Sequence, residues 1–149
     1  MKKIYSLIAV LLCSTIMLTG CGNKKLKCSK DYSDTYGNNI KMTQDVDVDF
    51  KNDKIQKFVM NMNFELPDSF ESYASNYLEQ LKSQYESTYG KYNGITVTVN
   101  KTSDMKFTIS VNVDYKKLST TDKTTLKISG SEKYSDNKIS FEQQGYTCK

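Results

Sequence analysis

The chain of 149 residues has no histidine, no tryptophan and a single proline. Without an imidazole, a serine or cysteine nucleophile lacks its usual general base, and zinc loses its commonest nitrogen ligand. No G-x-S-x-G elbow, no glycine-rich phosphate loop and no C-x-x-C pair occurs. Serine and lysine are plentiful, so chance pairings between them are expected. Arginine is absent as well, every basic side chain being a lysine. No basic stripe with interleaved aromatics stands out, which argues against nucleic acid as a partner. The sequence names no reaction.

Long apolar runs are equally scarce. One stands out, over residues 4–18, behind Lys2 and Lys3 and interrupted by Ser6, Ser14 and Thr15. This is the order of parts in a secretory signal. A retained transmembrane helix is the alternative, but the run falls short of the roughly 20 residues that span a bilayer core. It ends in Leu18-Thr19-Gly20-Cys21, which resembles the lipobox of bacterial lipoprotein precursors. That resemblance implies cleavage before Cys21 and a diacylglyceryl group on its sulfur, carrying two palmitate-like chains. Two chains anchor stably, at about 0.8 kcal/mol per buried CH₂. The expected division is a signal peptide at 1–20, a lipid-anchored polar tether at 21–27 and one extracytoplasmic domain at 28–149. The expected location is the outer face of the cell membrane.

Four cysteines sort by position. Cys13 leaves with the signal and Cys21 takes the lipid, so Cys28 and Cys148 remain, one near each end of the domain. In an oxidising compartment they most simply pair. A metal pair or a redox couple is the alternative, with neither histidine nor a third thiol to support it. Lys2 and Lys3 also leave with the signal, which makes the mature chain nearly neutral.

Alternation then organises the chain. Residues 29–39 are rich in Ser, Asp, Gly and Asn and read as a loop. Ile40, Met42, Val46, Val48 and Phe50 share one strand face, and Lys41, Thr43, Asp45, Asp47 and Asp49 share the other. After a turn at 51–54, Phe58, Met60, Met62, Phe64 and Leu66 alternate on a second strand. Ile55 has the wrong parity, so a bulge or a late start is expected there. Asp68 and Glu71 have capping-box spacing for a helix whose stripe is Phe70, Tyr73, Ala74, Tyr77, Leu78, Leu81 and Tyr85, ending at Gly90. A second hairpin follows from Gly94 to Tyr115. The expected fold is α+β: an antiparallel sheet of two hairpins covered by one long amphipathic helix. Residues 116–144 are ambiguous. Ser119 to Asp122 suit a short helical turn, Leu126 and Ile128 a short strand, and 135–144 a C-terminal helix capped by Ser135 or a further strand.

Asp45, Asp47 and Asp49 form an acidic patch, with successive carboxylates roughly 6.5–7 Å apart along the strand. That is too far for one metal ion to bind all three directly, and the loop pattern for calcium is missing. A solvated strand face is the plainer reading, although such spacing would also suit an inverting glycosidase. Tyr73, Tyr77 and Tyr85 read as core, while Tyr32, Tyr36, Tyr89, Tyr92 and Tyr146 fall in loops or ends where rings would suit a sugar or peptide.

The lipobox, the hairpin–helix–hairpin order from Ile40 to Tyr115 and the ending Gly145-Tyr146-Thr147-Cys148-Lys149 together resemble the YehR-like group of small bacterial lipoproteins. The resemblance implies an α+β fold and carries no activity and no functional residues. The expectation is a non-enzymatic, membrane-anchored domain that binds an envelope protein or a cell-wall component and needs no cofactor or metal. Two alternatives stand beside it. One is an envelope glycan hydrolase using Asp or Glu. The other is a small-ligand-binding lipoprotein, though the chain is too short for two closing lobes.

Overall fold

Asn52 and Asp53 both adopt left-handed backbone (φ 53° and 57°), the pairing that a tight two-residue hairpin needs. They join β2 (Lys41–Lys51) to β3 (Lys54–Glu65), in register from Lys41 opposite Glu65 to Lys51 opposite Lys54. The register slips between Asp49 and Phe50, so Ile55 turns inward and the expected bulge is present. The structure is a computed structural model, and it describes residues 22–33, 39–128 and 130–149.

The sheet is larger than two hairpins. β4 (Ile95–Ser103) and β5 (Lys106–Asp114) form the second hairpin, and β5 joins the first through β3. On the far side, β1 (Asn23–Asp31) lies along β2, and a two-residue β6 (Thr147–Cys148) lies along β1. The result is a six-stranded antiparallel sheet in the order β4-β5-β3-β2-β1-β6.

β1 overturns two expectations at once. The polar tether at 21–27 is strand from Asn23 onward, and Ser29 to Asp31, expected in a loop, belong to the same strand. Its inward positions are Lys24, Leu26, Cys28 and Lys30, of which only the middle two are apolar. The outer two still face inward because their ammonium groups sit over rings. Lys24 Nζ is 5.6 Å from the centre of Tyr134, and Lys30 Nζ is 4.6 Å from Tyr32 and 5.6 Å from Tyr146.

The helices described below lie on the apolar face. α1 (Ala74–Tyr89) buries Ala74 and Leu78 against Ile95, Ile109, Val111 and Phe64, with Tyr77, Leu81, Tyr85 and Tyr89 packed alongside. It starts later than the capping-box spacing predicts. After Pro67 the chain makes a 3-10 turn over Asp68–Phe70, no side chain caps α1, and Tyr73 is two-thirds exposed rather than core. Helix α2 (Thr120–Thr125) is capped by Ser119, whose Oγ accepts from Asp122 N at 3.0 Å; Leu126 and Ile128 form no strand. Helix α3 (Tyr134–Gln143) includes Ser135 instead of being capped by it. Its Tyr134 and Phe141 cover a second cluster of Leu26, Val46, Val48 and Phe50. Phe58 and Met60 touch both clusters, so the two halves make one continuous apolar layer. One helix over two hairpins thus gives way to two helices dividing a wider sheet. Among the described residues, no helix is long and apolar enough to cross a membrane.

Candidate binding surface

Among the described residues, the helices leave the opposite face of the sheet bare. Antiparallel register lines its outward side chains into rows that cross the strands. One row runs Asp31–Thr43–Asn63–Thr108–Asn100 from β1 to β4. The next runs Thr147–Ser29–Asp45–Asn61–Ser110–Thr98, from β6 to β4. Below it, Lys27–Asp47–Val59–Asn112–Thr96 brings in the only apolar residue of these three rows.

Hydrogen bonds tie the rows together. Asn63 is the hub: its Nδ2 donates to Asp45 Oδ2 at 2.8 Å and to Thr43 Oγ1 at 3.2 Å, and its Oδ1 accepts from Thr108 Oγ1 at 2.8 Å. Ser110, buried, donates to Asn61 Oδ1 at 2.7 Å. At the top of the face, Glu65 lies between Lys106 (3.2 Å) and Lys41 (3.3 Å), one on each neighbouring strand. Hydrogen bonds from Lys106 and then Lys41 hold its carboxyl below the usual glutamate range.

The acidic patch is dispersed by this arrangement. Asp45 is held by Asn63, Asp47 by Lys27 at 3.5 Å and Asp49 by Lys25 at 3.4 Å. The three carboxylates therefore point to three separate partners and share no common centre. Among the described residues, no group of three Cys, Asp or Glu side chains stands where it would hold a metal ion. Hollows lie on this face. One of about 310 Å³ lies over Thr43, Asn63 and Thr108, and one of about 450 Å³ over Asp45, Asp47 and Asn61.

Among the described residues, Tyr32, Tyr89, Tyr92 and Tyr146 do not gather into one loop patch. Tyr146 is buried, with its hydroxyl 3.3 Å from that of Tyr32, and burial pushes its phenol well above the normal value, with the Tyr32 contact adding to it. Tyr89 stacks on Tyr85 at the end of α1, and Tyr92 packs against the core. Tyr36 lies outside the described residues, as do Cys21 and the signal segment 1–20.

Cys28 and Cys148 are brought to disulfide distance, opposite each other in the β1–β6 pairing. What sequence reasoning missed was the amide and hydroxyl side of the bare face. Asn61, Asn63, Thr108 and Ser110 become neighbours only through the β3–β5 pairing, which joins strands of different hairpins. The available clue was the parity of Asn61 and Asn63 between Met60, Met62 and Phe64.

No family model matches the chain, and neither does any curated protein. Among solved structures, it is similar to a protein from Streptococcus pneumoniae TIGR4 determined by NMR. The two are 11% identical over 85% of each chain, with a TM-score of 0.57. That likeness extends to the fold alone.

Proposed function

We propose that this chain is a lipid-anchored extracytoplasmic lipoprotein, resembling the YehR-like group, whose bare sheet face binds an envelope protein or a cell-wall polymer. The observation that carries the reading is the face itself. Three rows of Asn, Thr, Ser, Asp and Lys, interrupted only by Val59, cross the strands from β1 to β4 with no helix of the described residues over them. An array of amides and hydroxyls offers many hydrogen bonds, which suits recognition of an extended partner. Glycan hydrolysis by Asp47 or Asp49 draws no support from carboxylates that each sit beside an exposed lysine, Asp47 beside Lys27 and Asp49 beside Lys25.

Two measurements test the parts separately. Mass spectrometry of the membrane-extracted protein is expected to find diacylglyceryl on an N-terminal Cys21; an unmodified thiol there ends the anchor reading. A photo-crosslinking residue placed at Asn61 or Thr98 in intact cells is expected to yield a defined adduct, and the same residue at Glu79 on α1 is expected to yield none. Equal labelling from both faces ends the binding-face reading. Turnover of cell-wall glycans that is lost on Asp47→Asn would establish hydrolysis instead.

A further inference from the structure

The chain enters the sheet at one end. Gly22 alone separates Cys21 from β1, so the Cys21 Cα lies within about 8 Å of the Asn23 Cα, at 3.8 Å per residue. Asn23 is opposite Lys51, at the end of the sheet that also holds the β2–β3 turn, the close of β5 and the start of β4. Any group on Cys21 therefore emerges at this end and nowhere else.

That end is basic. Lys51, Lys54, Lys57, Lys91 and Lys116 are all exposed there, and none has a carboxylate within 4 Å among the described residues. Their neighbours cancel: Lys24 pairs with Asp53, Lys25 with Asp49 and Lys117 with Asp114. The segment from Ser119 to Asp136 adds as many lysines as carboxylates, and Glu86 in the last turn of α1 offsets one charge. The chain after Cys21 is nearly neutral, so a surplus here leaves the rest of the domain net acidic. A hollow of about 780 Å³ opens among Lys57, Lys116, Lys117, Gln56 and Asn112. Its wall requires Gly94, which has φ +95°, and a Cβ there would meet Asp114 O at 2.9 Å.

We infer that this lysine end is a docking surface for an anionic bilayer, seating the sheet end-on with its bare face turned sideways into the envelope. The inference rests on the anchor reading for the presence of the lipid and adds the orientation to it. Charge complementarity and the exit point of the chain coincide at one end of the fold. Each lysine held near an anionic leaflet is worth about fivefold in partitioning, so five of them select one orientation over its inverse by a wide margin. With strands of up to 12 residues, the opposite end stands about 35–40 Å above the headgroups.

The test reconstitutes the processed full chain into vesicles of phosphatidylglycerol with phosphatidylcholine, or of phosphatidylcholine alone. A fluorophore is introduced through a non-natural amino acid at position 52 or position 100, with headgroup-linked quencher lipid present. Quenching at position 52 is expected to exceed that at position 100 severalfold on anionic vesicles. The ratio should fall toward one on neutral vesicles, in high salt, and in the triple variant Lys51→Glu, Lys54→Glu, Lys116→Glu. Equal quenching at both positions on anionic vesicles, by chain with native circular dichroism, overturns the proposal. The anchor is read apart from this by the mass of the same sample. Chain without lipid that still binds anionic vesicles through position 52 supports the seating while ending the anchor reading. Chain without lipid that ignores those vesicles overturns both.

Discussion

Cys28 and Cys148 stand directly opposite each other on adjacent antiparallel strands, their Cα atoms 4.1 Å apart and 120 residues distant in sequence. A bridge between them closes almost the whole domain into one loop. In the chain-entropy account such a closure stabilises by about 4–5 kcal/mol. Urea unfolding with and without reductant is expected to differ by that amount, and the double variant Cys28→Ser, Cys148→Ser should match the reduced protein. Identical curves with and without reductant would mean that the thiols are free.

Asn63 and Asp47 should respond very differently to substitution. Asn63→Ala leaves Thr43, Asp45 and Thr108 without their shared partner in a half-buried network, with an expected cost of about 1–3 kcal/mol. Asp47→Asn loses only an ion pair to an exposed lysine and should change stability by less than about 1 kcal/mol. Equilibrium denaturation of both variants checks the contrast.

The late start of α1 separates two residues of one sequence stripe. Leu78→Ala opens a hole in the core and should cost about 2–5 kcal/mol. Tyr73→Ala, at the exposed first boundary, should stay within about 0.5 kcal/mol. Thermal melts of the two proteins decide it.

Alkali should weaken the fold through its buried phenols. Burial raises the titration of Tyr146 and Tyr115 above the ordinary tyrosine value of 10.0, so the folded chain keeps protons that the unfolded chain releases. Stability from this source is complete below pH 10 and is lost progressively above it. Melting temperature followed upward from about pH 9 should fall, and fall less steeply in Tyr146→Phe. A parallel decline in the two proteins would remove Tyr146 from the account.

The legible parts of the fold were those where one face is apolar and the other is not. β2 and β3 alternate cleanly, and the spacing from Ala74 to Tyr85 is helical, so each was readable from the chain alone. β1 was not, because Lys24 and Lys30 occupy inward positions and only the rings of Tyr134, Tyr32 and Tyr146, supplied by other segments, make that tolerable. The start of α1 was misplaced because Asp68 and Glu71 have the right spacing, yet the chain after Pro67 spends it on a 3-10 turn. Of the candidate surface, Asp45, Asp47 and Asp49 were visible as one strand's outward row. Their isolation from each other depends on Lys25, Lys27 and Asn63, which are positioned by pairings between separate segments.

The two outermost strands govern what can be added to the sheet. β6 is two residues long and offers next to no template. β4 runs nine residues, and its outward backbone groups face no strand among the described residues. Near its end, Lys101 and the register break before Ser103 supply the charge and kink that repel a visiting strand. The N–H of Ile95 is already bonded to Tyr92 O at 3.2 Å, whereas residues 96–100 carry no such guard, and a polypeptide donated by another chain, in augmentation or in aggregation, would enter the sheet along those five residues.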